Sequence, residues 1–292
     1  MARFHRKAGS FGRACAAAVF LLGCFGTPSP LAPGLRGSVG LPNQGVLTEG
    51  VLLPESGPGF ERYRQADSHY WGLPRLVAAI ERAAAIVEET EPGGAPLYVG
   101  DLSSRFGGKI PNHASHRTGR DVDLLYYVTN VYGQSLKSPG FVNIGGDGLA
   151  ADPANHNFVR LDVDRQWQLT RALLTDSNVD LLWLFVSRDI EALLVQHARA
   201  LGEPATLVWR AEQLLHQPRD SAPHDDHMHV RMACTTAEMP QGCEGGGPHW
   251  PWFPQVSPWD NLGADSLTAI ASDGPVPMES ESATNGKESN LH

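Results

Sequence analysis

Five of the chain's twelve histidines fall in two short windows, residues 112–123 and residues 223–231. These five are His113, His116, His224, His227 and His229. Both windows also contain aspartates, and imidazole and carboxylate groups are side chains that bind zinc in enzymes. Two imidazoles and one carboxylate leave one position of a tetrahedral zinc ion open, which is typical of catalytic rather than structural sites. The two windows therefore predict a catalytic zinc centre.

The spacing inside each window indicates which side chains can share the metal. His227 and His229 alternate along a predicted strand, so their side chains point to the same face. Both could serve one metal ion, or one could bind it while the other handles protons. In the first window His116 precedes Asp123 by seven residues, and Gly119 allows a turn between them. The chain has no His-Glu-x-x-His pattern, so the site is not of the kind carried on one helix.

Three further aspartates lie beside these candidate ligands. Asp121 alternates with Asp123 and shares its face, so we expect Asp121 to orient a ligand while Asp123 binds the metal. Asp225 and Asp226 directly precede His227. They either orient the ring nitrogens of neighbouring histidines or are simply solvated. We expect the histidines outside the two windows to be ordinary surface or core residues.

Hydrophobic periodicity predicts the elements that position the two windows. Helical spacing occurs at residues 73–90, 167–174, 190–201 and 205–215. Strand patterns occur at residues 97–99, 122–128, 181–186 and 228–232. Residues 129–157 are rich in Gly, Asn and Asp and predict a long loop. Because helices and strands do not alternate regularly, we expect an α+β fold with a central antiparallel sheet flanked by helices.

The composition narrows the class of protein. Of 292 residues, 41% are hydrophobic, which is enough to build a core, and 31 Gly and 22 Pro predict a loop-rich structure. The net charge is −9, from 23 basic and 32 acidic residues, and the basic residues form no stripe. We therefore expect no nucleic-acid partner.

The amino terminus has the features of an export signal. Residues 1–23 combine a basic start with an apolar run at residues 14–22 that is too short to span a bilayer. The run ends in Leu-Leu-Gly before Cys24, which resembles the lipobox at which bacterial lipoproteins are cleaved and lipidated. We expect export to the periplasm, either with a lipid anchor at Cys24 or as an ordinary secreted protein.

The rest of the chain divides into three parts. Residues 24–58 are rich in Gly, Pro and Leu without periodicity and predict an irregular tether. Residues 59–244 carry both histidine windows and form the predicted catalytic domain. Residues 245–292 begin with a Trp- and Pro-rich patch at residues 248–254 and continue as a polar tail that we expect to be disordered. The patch could bind a glycan or a peptide, or it could pack back onto the domain.

Cys234 and Cys243 follow the second histidine window closely. An exported protein can form a disulfide, and this pair would close a short loop beside the site. We expect this disulfide rather than zinc–thiolate binding, because the zinc site already has its ligands.

These patterns resemble one group of zinc enzymes. The pattern Ser-His-x-x-Gly-x-x-x-Asp at residues 115–123, followed by His-x-His at residues 227–229, resembles the LAS metallopeptidases. That group includes lysostaphin-type enzymes, D-Ala-D-Ala carboxypeptidases and Hedgehog-like domains. Within it, the chain is most similar to the penicillin-insensitive murein endopeptidases. The likeness covers residues 60–244 and includes Val-Gly-Asp-Leu-Ser at residues 99–103 and His-x-x-His-x-His-Val-Arg at residues 224–231.

The resemblance implies the LAS/Hedgehog-like fold and a role for each matching residue. His116, Asp123 and His229 would bind the catalytic Zn²⁺. His227 would be an unligated histidine beside the metal that stabilises charge or moves a proton. His224 would be a further catalytic histidine.

The resemblance also makes His113 a candidate metal ligand, because it matches a position associated with an additional metal ion in that family. The other ligands of that ion would form an Asp-x-x-His pair in the loop before Trp167. Here the chain departs from the family, since Asp152 and His156 are four residues apart.

The activity implied is that of a zinc endopeptidase acting on peptidoglycan stem peptides. It would hydrolyse the bond between D-Ala and meso-diaminopimelate in the peptide cross-links. A D-Ala-D-Ala or L,D-carboxypeptidase of the same group needs the same zinc site and is the alternative enzyme. A non-catalytic, zinc-containing protein that binds the cell wall is the alternative outside the enzymes.

Overall fold

The structure of the chain, a computed structural model, describes residues 34–219, 221–245 and 247–253. The chain separates into two units, Met1–Leu35 and Arg36–His292, and the description below concerns the second. The predicted signal at residues 1–23, Cys24 and the tail beyond residue 253 lie outside the described residues. None of the helices within the described ranges is long and apolar enough to cross a bilayer.

The described part of the chain contains four α-helices. They are α1 (Pro74–Thr90), α2 (Val163–Thr175), α3 (Arg188–Ala200) and α4 (Ala205–Leu214). The helix predicted at residues 167–174 begins four residues earlier than expected, because the Asp162 side chain accepts a hydrogen bond from the Arg165 amide and caps the helix. Ser187 caps α3 in the same way through the Ile190 amide. The other two helices follow the predicted spacing closely.

The strands fall in several sheets, of which a seven-stranded sheet carries the site. They are β1 (Ser38–Leu41), β2 (Gln44–Leu47), β3 (Val51–Leu52), β4 (Ser56–Gly57), β5 (Phe60–Arg62), β6 (Trp71–Gly72), β7 (Leu97–Val99), β8 (Asp121–Leu125), β9 (Val128–Thr129), β10 (Ser135–Leu136), β11 (Leu149–Asp152), β12 (Asn157–Leu161), β13 (Leu181–Phe185), β14 (Leu215–His216) and β15 (His227–Met232). The large sheet has the order β14-β13-β15-β8-β7-β5-β4.

The predicted α+β class agrees with the structure, but the sheet is mixed rather than antiparallel. Its central pairs, β13–β15, β15–β8 and β8–β7, are antiparallel as predicted. The pairs β13–β14 and β5–β7 are parallel, whereas the edge pair β5–β4 is antiparallel. The prediction was wrong at the parallel pairs because helices separate the paired strands in sequence, and a helical crossover returns the chain so that it runs in the same direction.

Residues 129–157, predicted as one long loop, form most of a second sheet. Its order is β10-β9-β12-β11, and all of its pairs are antiparallel. Gly133 adopts a φ of 82° in the turn between β9 and β10, a conformation that glycine allows without strain. Val159 and Leu161 are buried, whereas Arg160 between them is exposed. The loop prediction was wrong because short strands among many Gly and Asn residues carry little hydrophobic signal.

The predicted irregular tether is also wrong from residue 38 onward. Strands β1 and β2 form an antiparallel hairpin, in which Ser38 pairs with Leu47. Leu47 and Leu53 are fully buried in the main core. The segment therefore belongs to the folded domain, because a few well-placed apolar residues bury it without long-range periodicity.

The Trp- and Pro-rich patch packs back onto the domain as far as the structure describes it. Trp250 is buried, and its indole N–H donates to the Leu182 carbonyl at 2.9 Å. Its ring also meets the Trp183 ring edge-on at 5.2 Å. The predicted disulfide between Cys234 and Cys243 is present in the structure.

Replacing Trp250 with alanine should therefore destabilise the domain. We expect Trp250→Ala to lower the free energy of unfolding by about 3 kcal/mol or more, because a large buried side chain and its hydrogen bond are both lost. His249→Ala, a substitution at the exposed neighbouring position, is the matched control and should change that free energy by less than about 0.5 kcal/mol. Urea unfolding of both variants measures the difference. Equal midpoints for Trp250→Ala and the parent would contradict this packing.

Candidate metal centre

Strand pairing brings the two histidine windows together at the centre of the large sheet. In the register of β15 and β8, His229 lies directly opposite Asp123. Directly opposite residues project from the same face of a sheet, so these side chains meet. His229 Nδ1 lies 3.2 Å from Asp123 Oδ1.

His116 reaches the same point from the loop before β8. Its backbone adopts a φ of 65°, a left-handed conformation that is uncommon for residues other than glycine. The Ser103 hydroxyl donates to the His116 carbonyl and accepts from the Gly119 amide, which holds this bend in place. His116 Nε2 therefore lies 3.2 Å from Asp123 Oδ1 and 3.3 Å from His229 Nδ1.

The three atoms form a triangle with edges of 3.2–3.3 Å. A tetrahedral zinc ion with nitrogen and oxygen ligands at 2.0–2.1 Å requires ligand separations of about 3.3 Å. All three residues are buried, and neither carboxylate oxygen of Asp123 has a hydrogen-bond partner among the described residues. Burying a carboxylate without hydrogen-bond partners costs free energy unless a cation compensates its charge. The three donor atoms therefore fit a tetrahedral metal ion such as zinc.

The outer nitrogens of both imidazoles are held by hydrogen bonds. His116 Nδ1 lies 2.7 Å from the Leu102 carbonyl, to which it can donate. His229 Nε2 lies 2.8 Å from Asp121 Oδ1, which also accepts from Arg231 Nε at 2.6 Å. Such contacts orient the ring so that the other nitrogen faces a metal. Asp121 thus occupies the supporting position expected for it.

The electrostatics of Asp121 agree with that supporting position. Burial raises the pKa of its carboxyl, but the charges of Arg231 and His229 outweigh burial and hold the pKa well below its usual range. Asp121 is therefore ionised and accepts hydrogen bonds from both neighbours.

His227 borders the triangle without completing it. Its Nε2 lies 3.3 Å from Asp123 Oδ1, and its Nδ1 lies 2.6 Å from Asp226 Oδ1. Burial lowers the pKa of His227, but Asp123 and Asp226 outweigh it and raise the pKa to about 10. Asp226 therefore orients this ring. Asp225 instead accepts from the Asn143 side chain at 2.8 Å on the exposed surface.

His224 lies beside both His227 and His229. The two ring centres are 5.2 Å apart, and the His229 ring centre is 5.7 Å from that of His224. The backbone amide of His224 donates to Gln217, whereas its buried Nδ1 has no hydrogen-bond partner among the described residues. Burial and the nearby His229 and His227 lower the pKa of His224 to about 4, so the imidazole is neutral at pH 7.

His113 lies between the metal centre and Asp101, a residue to which the sequence analysis assigned no role. Its Nε2 lies 3.0 Å from Asp101 Oδ2, and its Nδ1 lies 3.6 Å from Asp123 Oδ2. Asp101 lies two residues after the end of β7, and its carbonyl accepts a hydrogen bond from the Asp123 amide. Two signals were available in the sequence: its position shortly after a predicted strand, and its place in the Val-Gly-Asp-Leu-Ser stretch at residues 99–103 that resembles the family. Asp152, by contrast, accepts from Asn155 within its own hairpin.

Among the residues that the structure describes, potential metal-binding side chains fall into three neighbouring groups. They are His113 with His116 and Asp123, His224 with His227 and His229, and Asp67 with His69 and Asp101. The first two groups meet at the triangle described above. In the third group, Asp67 Oδ1 accepts from the backbone amides of Ser68 and His69, so this carboxylate also holds a turn. The described site thus brings together all five histidines of the two windows.

Comparison with known proteins gives one consistent family. The family model described as penicillin-insensitive murein endopeptidase matches residues 38–249. A protein of that name from Haemophilus influenzae is 26% identical, over 82% of this chain and 82% of its own length. One from Klebsiella pneumoniae subsp. pneumoniae is 28% identical, over 78% of this chain and 74% of its own. One from Escherichia coli is 25% identical, over 86% and 83% of the respective chains.

Proposed function

This chain belongs to the penicillin-insensitive murein endopeptidase family, and we propose that it is a zinc-dependent endopeptidase of bacterial peptidoglycan. The bond we propose as its substrate joins D-Ala to meso-diaminopimelate in the peptide cross-links. The relatives carry the name of murein endopeptidases, which supports the substrate class. The finer choice of bond rests on the resemblance of the two histidine windows to that family.

The observation that carries the proposal is the triangle of His116 Nε2, Asp123 Oδ1 and His229 Nδ1, with edges of 3.2–3.3 Å. These three residues are the proposed ligands of one Zn²⁺. Zinc supplies a Lewis acid that polarises a peptide carbonyl and activates a water molecule. Asp121 and the Leu102 carbonyl support the two imidazoles from behind, so the donor atoms are oriented before any substrate arrives.

His227 and His224 are the proposed catalytic histidines. Asp226 holds Nδ1 of His227, so its Nε2 faces the interior of the site at 3.3 Å from Asp123 Oδ1. From there His227 can stabilise developing negative charge and deliver a proton to the leaving amine nitrogen. The neutral His224 ring lies 5.2 Å from the His227 ring and 5.7 Å from the His229 ring, centre to centre, so it can accept a proton or a hydrogen bond beside them.

Three further features belong to the proposal: a second cation site at His113, export of the chain, and a lipid anchor. His113 is a candidate ligand for a second cation, with Asp101 as its nearest carboxylate at 3.0 Å in place of the Asp-x-x-His pair. We propose that residues 1–23 direct the chain to the periplasm and that Cys24 can carry a lipid. Both features lie outside the described residues.

Product analysis tests this function directly. Incubation of the zinc-loaded protein with purified cross-linked muropeptide dimers should convert the dimers to monomers, because an endopeptidase cleaves between the two stem peptides. Mass spectrometry identifies the products. Loss of a single terminal residue from intact dimers would instead indicate a carboxypeptidase. Binding to isolated cell-wall sacculi with no new peptide ends would indicate a non-catalytic wall-binding protein.

A further inference from the structure

Arg64 places a positive charge beside the metal centre. Its side chain is 53% exposed, and its Nη1 lies 3.7 Å from Asp101 Oδ2. Asp101 in turn contacts His113, whose other ring nitrogen lies 3.6 Å from Asp123. The backbone amide of Arg64 donates to the Tyr70 hydroxyl at 2.9 Å, which fixes the base of the side chain. Two successive side chains therefore separate this guanidinium from a proposed zinc ligand.

Two aromatic rings support the guanidinium. Its central carbon lies 5.5 Å from the centre of the Tyr63 ring and 5.6 Å from that of Phe141. These two rings contact each other edge-to-face at 5.7 Å, and the Phe141 ring lies 5.5 Å from the His227 ring. Stacking on aromatic faces keeps an arginine in place at little cost in hydration. The Phe141 ring thus contacts both the Arg64 guanidinium and the proposed catalytic histidine His227.

The backbone of the loop that carries Phe141 lies very close to the Tyr63 side chain. Gly140 adopts a φ of 106°, and a Cβ atom at this position would lie 2.1 Å from the Tyr63 hydroxyl oxygen. No side chain fits there, so glycine is required for the contact. The aromatic platform of Tyr63 and Phe141 is therefore a defined part of the site's rim.

The guanidinium keeps donors available to a ligand. Within the described part of the chain, its carboxylate neighbour inside 4 Å is Asp101, at 3.7 Å, which is beyond hydrogen-bond distance. The closer partner of Asp101 is His113 at 3.0 Å. The chain as a whole carries a net charge of −9, which disfavours the approach of an anionic substrate. The positive charge of Arg64 offsets this repulsion next to the metal centre.

We propose that Arg64, seated on Tyr63 and Phe141, binds a free carboxylate of the stem peptide close to the scissile bond and so sets substrate specificity. This inference rests on the proposed function, because stem peptides supply that carboxylate. A planar guanidinium matches a carboxylate with two parallel hydrogen bonds, and the neighbouring rings exclude water from one side. In this proposal Arg64 contributes to substrate binding, whereas the histidines contribute to hydrolysis of the scissile peptide bond.

The test compares two dimeric muropeptides, one with free diaminopimelate carboxylates and one with those carboxylates amidated. For the parent protein we expect KM to be about 10- to 100-fold lower for the free acid, the range of a charge-assisted hydrogen bond. Arg64→Gln should raise KM for the free acid by a similar factor, leave kcat within a few-fold and abolish the preference. Arg64→Lys should restore part of it. Arg210→Gln, which removes an arginine stacked on Trp252 instead, is the matched control and should keep the preference.

A binding measurement separates this proposal from the proposed function. Calorimetric titration of the two dimers into the His227→Ala protein, with and without Arg64→Gln, reports the same carboxylate preference while turnover is slowed about 10²-fold or more. A parent protein that cleaves both dimers with equal KM, or an Arg64→Gln variant that keeps the preference, would overturn the role of Arg64. A parent that binds the free acid preferentially but cleaves neither dimer would overturn the endopeptidase function and leave the carboxylate site standing.

Discussion

Alanine at His116, Asp123 or His229 should remove bound zinc and reduce hydrolysis of murein dimers by about 10³-fold or more. Each residue supplies one corner of the 3.2–3.3 Å triangle, so any one substitution leaves two donors. Two donors hold zinc poorly, and the loss of Lewis-acid stabilisation costs several kcal/mol in the transition state. Zinc content after dialysis, measured by elemental mass spectrometry, and initial rates on a dimeric muropeptide are the two readouts.

A control is needed because these residues are buried and their removal also affects packing. His197→Ala is suitable, since His197 lies on α3 and pairs with Asp164 at 3.1 Å on another part of the domain. It should keep zinc and full activity. Circular dichroism checks that each variant is folded. Stoichiometric, tightly bound zinc in all three folded ligand variants would show that the ligand assignment is wrong.

His227→Ala should keep zinc but lose about 10² or more in turnover. The triangle is complete without His227, so the metal stays. The variant loses the imidazole that Asp226 orients at 2.6 Å and that faces Asp123 at 3.3 Å. Removal of a positioned general acid–base group typically costs 10²–10⁴-fold, which sets the expected range. Metal analysis and initial rates on the same dimer separate this outcome from simple loss of zinc.

Comparison with His229→Ala shows which histidine is the metal ligand and which is the catalyst. Both side chains project from the same face of β15, so position on the strand alone does not distinguish the two roles. His229→Ala should lose both metal and turnover. If His227→Ala loses the metal while His229→Ala retains it, the roles of the two histidines are reversed. If His227→Ala is fully active, the proton comes from His224 or from solvent. His216→Ala, at the outer edge of the large sheet, serves as the matched histidine control.

The proposed catalytic chemistry was readable from the sequence because it depends on short patterns. His-x-His on a strand places two imidazoles on one face whatever the rest of the fold does. A carboxylate seven residues after His116, across a glycine, is similarly local. The helices were also predicted well, because each buries one face and repeats apolar residues at helical spacing. Their starts were predicted less accurately, since α2 begins four residues before the predicted position, where the side chain of Asp162 caps it.

What the sequence could not show depends on residues that lie far apart along the chain. The register of β8 and β15 sets His229 opposite Asp123, and crossovers through helices make the pairs β13–β14 and β5–β7 parallel. The amino-terminal hairpin joins the domain through a few buried leucines that form no periodic pattern. Asp101 and Arg64 reach the site through pairing and stacking contacts for which no local pattern exists. The sequence by itself therefore determined which side chains are available for chemistry, because spacing on one element is a local property. Only the tertiary structure decided which of them meet and what surrounds them, because strand register and long-range packing bring together parts of the chain that are remote in sequence.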